Sequence, residues 1–142
     1  MRRRSLQSVT ECYRGRSVRV FRLDRAGTLD RLRERARQLI EQRDDVLEVR
    51  LFGSLARGEA HPGSDADLFI VVRDGAPPFL DRIPDLARRL GGVGIGCDVI
   101  AYTESEYQAL LDRHDRFARV VVDDGFVLAR CAEVNQRARR GK

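Results

Sequence analysis

The sequence is poor in cysteine, nearly without lysine and free of any long apolar run. Its three cysteines, Cys12, Cys97 and Cys131, are odd in number and widely spaced. They form neither a disulfide framework nor a CxxC-type metal site, so a reducing, cytoplasmic setting is expected. No apolar stretch approaches the ~18 residues that a membrane span needs. The opening MRRRSLQSVTECYR carries a basic cluster with no apolar segment behind it, so no signal peptide is expected. Internal repeats and low-complexity linkers are missing too. At 142 residues the chain can bury one core and not two.

What is present is charge, and it is unevenly placed. Apolar residues make up 42% and charged residues 35%, the balance of a soluble globular protein. Lys142 is the only lysine, so nearly all positive charge is arginine. The formal net charge of +5 hides a division: residues 1–25 hold eight arginines against Glu11 and Asp24, and residues 129–142 are also basic. The stretch between them is acidic. The expected layout is a single domain over residues 1–142, with a basic N-terminal extension to about residue 14 and a C-terminal one from about residue 132. Such ends suit an acidic partner surface or nucleic acid, or serve as solvated tails; direct nucleic-acid binding is the less favoured use.

Periodicity supplies the elements. Ser17–Leu23 alternates as a strand, and Leu29, Leu32, Ala36, Leu39 and Ile40 mark one face of a helix over Thr28–Arg43. VLEVRLF (Val46–Phe52) reads as a strand broken by Gly53-Ser54, after which a short helix is expected, capped by the Ser54 hydroxyl. Asp65–Val72 reads as a strand buried on both faces in its second half. Phe79, Ile83, Leu86 and Leu90 recur at helical spacing, with a break near Ile83 imposed by Pro84. CDVIAY (Cys97–Tyr102) is a further strand. Thr103 and Glu106 have capping-box spacing for a helix to about His114, with Tyr102 and Tyr107 placed to staple its start. FVLA forms a short last strand. The predicted fold is α/β (α+β), a small mixed sheet flanked by helices.

The chemistry gathers in GSLARGEAHPGSDADLFIVV. Asp65 and Asp67 are two residues apart, so on an extended chain both carboxylates leave the same face, their Cα atoms ~6.6 Å apart. Asp98 opens another strand; if the two strands are neighbours, three carboxylates meet at one end of the sheet. Like charges so close raise one another's pKa values unless a cation intervenes. Hard oxygen donors in an open arrangement suit Mg²⁺, which keeps water and completes its shell with substrate phosphates. Two such ions would clamp the attacking and leaving oxygens of an in-line displacement. Gly53 lets a phosphate approach the backbone, Ser54 offers a hydroxyl and free N–H groups, and Arg57 stands one turn further on, as a phosphate contact or a surface salt bridge.

Gly53-Ser54, ten residues, Asp65-Ala66-Asp67 and a later aspartate resemble the signature of the DNA polymerase β-like nucleotidyltransferases. Within that superfamily the chain is most similar to the minimal nucleotidyltransferases, the MNT group, over about Leu29 to Arg130. The resemblance implies the polymerase β-like fold. It implies a nucleotide-binding Gly53 and Ser54, metal-holding Asp65 and Asp67, and Asp98 as third carboxylate; near the acceptor hydroxyl, Asp98 is expected to be a metal ligand and a candidate to accept the hydroxyl proton. It also implies Mg²⁺, ATP or another NTP as donor, and transfer of a nucleoside monophosphate to a hydroxyl. Many MNT proteins resemble antitoxins that adenylylate a tyrosine on a HEPN-domain toxin, and that is the expected activity and partner here. No second domain is large enough to complete a substrate cleft, so a partner protein or a second subunit in a homo-oligomer is expected to hold the acceptor. Two alternatives are a small-molecule nucleotidyltransferase acting on an aminoglycoside-like acceptor and a non-catalytic partner-binding module.

Blander roles are expected for the remaining polar residues. His61 lies in a turn before Pro62 and is expected to be exposed. Cys97 is expected to be a small buried residue and Glu104 and Glu106 to belong to a helix start. The glycines of GGVGIG (Gly91–Gly96) are expected to shape a turn.

Overall fold

The computed structural model describes residues 9–15 and 19–141. The expected extension before Val9, and Ser17 and Val18 of the expected first strand, lie outside them. Strand β1 (Val9–Arg14) pairs antiparallel with β2 (Arg19–Leu23), a bulge falling between Glu11 and Tyr13. Helix α1 (Arg25–Gln42) starts three residues earlier than the apolar pattern indicates. Asp24 is the reason: its carboxylate accepts from the Gly27 N–H at 3.1 Å and satisfies a donor that the first turn leaves orphaned.

Four strands form the main sheet: β3 (Val46–Phe52), β4 (Ala66–Val72), β5 (Cys97–Thr103) and β6 (Phe126–Arg130), in the order β5-β4-β3-β6. β4 runs antiparallel to β3 and parallel to β5, and β6 runs antiparallel to β3. The expected mixed sheet flanked by helices is therefore present. Every residue of β4 is buried except Asp67, which is half-buried. One polar break in the best-covered strand already points to a site.

The helices divide between the two faces. Leu29, Leu32, Ala36 and Leu39 of α1 join Leu86 and Leu90 of α3 (Ile83–Leu90) over Val49, Leu51, Leu68, Ile70 and Val72. A 3-10 turn (Phe79–Arg82) precedes α3, and Pro84 lies in the first turn of that helix, where its missing N–H costs nothing. The break expected near Ile83 is thus observed. On the opposite face Leu47, Phe69, Val71 and Val121 form a second cluster with Tyr107, Phe117 and Val134. These come from α4 (Glu104–Asp112), α5 (Arg116–Asp123) and α6 (Ala132–Arg140).

The predicted capping box opens α4: the Glu106 N–H donates to Thr103 Oγ1 at 3.2 Å, and the Thr103 N–H to Glu106 Oε2 at 3.0 Å. Tyr102 and Tyr107 both rest on Phe69, with ring centroids 5.5 and 5.0 Å away, rather than stapling directly to each other. The chain turns sharply at His114 (φ 53°), and Asp115 caps a separate helix, α5. Among the described residues no helix is long and apolar enough to cross a membrane.

Candidate active site

Strand register brings the carboxylates together. In the parallel pair β4–β5, Asp67 stands opposite Asp98, and Asp65 lies just ahead of β4. β3 ends at the same edge of the sheet, with Phe52 opposite Asp67. The next residue, Gly53, therefore begins helix α2 (Gly53–Arg57) beside the aspartates. The Gly-Ser turn and the acidic pair, twelve positions apart, become neighbours because β3 and β4 are adjacent strands.

Gly53 has φ 75°, and a Cβ there would lie 2.1 Å from Asp67 Oδ2 and 3.0 Å from its Cγ. Both the left-handed backbone and the space require glycine. This geometry corrects the expected cap: Phe52 occupies the N-cap position and provides no side-chain bond, and Ser54 lies within the helix. α2 is anchored instead by the buried Leu55, by Gly58 in a left-handed C-cap, and from outside by Arg25. Arg25 Nε donates to the Leu55 carbonyl at 3.0 Å and Nη2 to the Ala56 carbonyl at 3.1 Å. Sequence reasoning missed this arginine, because a long-range contact of one residue leaves no periodic trace.

The electrostatics are those of a site short of positive charge. Burial pushes the Asp67 carboxyl above the ordinary carboxylate range; the charges of Asp98 and Asp65 push the same way, and Arg57 opposes them. Asp65 and Asp98 are exposed. Burial, with Asp65 and Asp98 adding to it, lifts the neighbouring Cys97 thiol to about 11, so it is protonated and unreactive at neutral pH. Among the described residues no three His, Cys, Asp or Glu side chains close into a metal-binding group. Uncompensated carboxylates repel, and an open set of hard oxygen donors is one that water and phosphate oxygens can complete around a divalent cation. Carboxylate oxygens are the donor type such an ion takes, and among the described residues no three of them converge in this arrangement.

The other predicted residues take modest places. Arg57 is exposed and pairs with Glu59 at 3.0 Å, with Asp124 4.0 Å away, so its salt-bridge role is seen directly. His61 is exposed; its Nδ1 accepts from the Gly63 N–H at 3.3 Å, and the turn is closed by Ser64 Oγ accepting from the His61 N–H at 3.0 Å. Glu106 is tied to Arg82 and Glu104 to Arg137, as residues of α4 outside the acidic cluster.

Residues 29–123 match the family model of the nucleotidyltransferase domain. No curated protein matches the chain. Two of the solved structures that share its fold illustrate the likeness. A candidate nucleotidyltransferase from Sulfolobus solfataricus is 23% identical over 75% of this chain and 83% of its own, with a TM-score of 0.54. A toxin-antitoxin structure with AMP-PNP is 19% identical over 76% of this chain and 77% of its own, with a TM-score of 0.50.

Proposed function

The chain belongs to the nucleotidyltransferase domain family, and from that premise we propose that it moves AMP from ATP to a hydroxyl of a partner protein. The favoured acceptor is a tyrosine of a HEPN-domain toxin, which would make this chain an MNT-type antitoxin. The observation that carries the reading is the register that sets Asp67 against Asp98, with Asp65 just ahead, so that three carboxylates gather at one end of the sheet with Arg57 as the opposing charge. The likeness to a toxin-antitoxin structure with AMP-PNP supports the partner class and the nucleotide.

Asp65, Asp67 and Asp98 would hold Mg²⁺, which when bound supplies charge neutralisation for the triphosphate and its pyrophosphate product. The chain's own residues do the rest. Gly53 leaves the backbone open to the phosphates, and the Ser54 hydroxyl and N–H orient them. Arg57, freed from Glu59, would meet a phosphate. The acceptor oxygen attacks the α-phosphorus, the bond to pyrophosphate breaks, and the hydroxyl proton passes to the exposed Asp98 carboxylate. Positioning and electrostatics carry the rate.

A thermal-shift titration tests the site. Mg²⁺ and ATP together are expected to raise the melting temperature more than either alone, because each completes the other's binding and both favour the folded state. No response to Mg²⁺ with ATP, GTP, CTP or UTP at millimolar concentration overturns the reading.

Gly53→Ala provides a second check. Its left-handed backbone makes alanine cost about 1–2 kcal/mol, and the new Cβ drives the Asp67 carboxylate from its place. The variant is expected to fold, to melt lower and to lose the stabilisation by Mg²⁺-ATP. A full ligand response in this variant would separate Asp67 from nucleotide binding.

A further inference from the structure

In the glycine-rich loop before β5, backbone conformation explains neither Gly91 nor Gly96, and of the two only Gly96 faces a side chain: Gly91 lies against the carbonyl of Ala87. Gly92 (φ 78°) and Gly94 (φ 94°) lie in the left-handed region, where glycine is favoured for its freedom. Gly96 is not among the glycines with positive φ. What singles it out is its neighbour: a Cβ at Gly96 would lie 2.3 Å from Asp65 Oδ1 and 3.2 Å from Asp65 Cγ. The approach is built into the sheet. The Ala66 N–H donates to the Gly96 carbonyl at 2.8 Å, and the next pair in register is Ala66 with Cys97. The loop is thereby clamped to the strand entrance directly after Asp65.

We propose that Gly96 is a positioning residue for Asp65, the missing side chain leaving the room in which that carboxylate lies. The inference rests on the metal-site reading above. It assigns to the loop entering β5 the task that Gly53 performs for Asp67 from the end of β3. The two carboxylates of the Asp-Ala-Asp pair would then each be seated against a glycine from a different strand connection. Gly53 differs in that it needs glycine for its backbone as well. At Gly96 only space is at stake, so substitution there tests the carboxylate's position with the turn intact.

Two measurements on the full chain test this. Mn²⁺ binding, followed by electron paramagnetic resonance with the metal alone, is expected to weaken about tenfold or more in Gly96→Ala, the scale typical of a residue that orients a metal ligand. Equal affinity in the wild type and the variant overturns the proposal. Wild-type protein that binds no Mn²⁺ instead overturns the metal-site reading. The coupling between the two residues is then read without metal, from the melting temperatures of Gly96→Ala, Asp65→Ala and the double variant. Gly96→Ala is expected to leave the melting temperature unchanged or lower it when Asp65 is present. With Asp65 replaced by alanine it is expected to raise it, since alanine narrows the unfolded ensemble once the collision is gone. The same shift in both backgrounds would assign Gly96 to the turn alone and overturn the proposal. A Gly96→Ala variant that unfolds and is not recovered by Asp65→Ala would do the same.

Discussion

Replacing Asp67 with asparagine is expected to lower nucleotidyl transfer on the order of a thousandfold or more, while the melting temperature at pH 7 holds or rises. The two outcomes have one cause. Asp67 is half-buried beside Asp98 and Asp65, and its carboxyl is held above the ordinary range by burial first and by those charges second. The folded protein therefore binds this proton more tightly than the unfolded chain does. Stability falls as pH rises from the unfolded carboxylate pKa through the folded one, and the cost persists at neutral pH. Asparagine carries no charge and escapes that cost, but it is a poor substitute for a metal-holding carboxylate. Melting curves of the metal-free proteins at pH 4 and pH 7 separate the cases: the variant's advantage should appear at pH 7 and shrink at pH 4. A variant that melts markedly below wild type at pH 7 would make Asp67 a structural residue.

The largest loss of stability is expected from Glu106→Ala. Arg82 is buried, and each nitrogen of its guanidinium is engaged: Nε donates to the Pro77 carbonyl at 2.6 Å and Nη1 to the Ala101 carbonyl at 3.2 Å. Nη1 and Nη2 also reach the two oxygens of Glu106 at 2.7 and 3.0 Å. Since Glu106 accepts from the Thr103 N–H as well, one carboxylate ties the 3-10 turn, β5 and α4 together. Removing it strands a buried charge and takes away one arm of the capping box, the Thr103 N–H bond, a cost of about 2–3 kcal/mol, reduced by the partial exposure of Glu106 itself. Hydrogen bonding from Arg82 draws the Glu106 carboxyl below its ordinary range. Its contribution is therefore complete above the unfolded carboxylate pKa and lost as pH falls through the folded one. Urea denaturation should show a wide gap between wild type and variant at pH 7 that narrows in acid. A gap that does not depend on pH would make the loss one of packing rather than charge.

The central architecture was legible because its signals are local. VLEVRLF, LFIVV and CDVIAY announce strands by composition, Thr103 and Glu106 announce a helix start by spacing, and Pro84 announces a break. The two-residue period of Asp65 and Asp67 placed them on one face, and the position of Asp98 at a strand start made the juxtaposition predictable once β4 and β5 proved to be neighbours. Features set by distant contacts were not legible. The Ser54 cap failed because Gly53 adopts a left-handed conformation to clear Asp67, which shifts the cap to Phe52. Arg25 reaches α2 across 30 positions. Strand β1 and helix α6 were hidden in arginine-rich stretches read as extensions, where charge masks periodicity. Gly96 read as ordinary turn chemistry, because its significance lies in the side chain of another strand.

The burial of β4 also bears on the time before the sheet exists. Leu68–Val72 is a run of β-favouring apolar residues with no charge inside it, the kind of segment through which nascent or unfolded chains associate. Asp65 and Asp67 stand at one end of it and Arg73 and Asp74 at the other. Charges in such flanking positions act as gatekeepers against intermolecular stacking. The acidic pair thus has a second effect, exerted on the unfolded chain: the repulsion that weakens the finished fold keeps its most aggregation-prone strand apart from copies of itself.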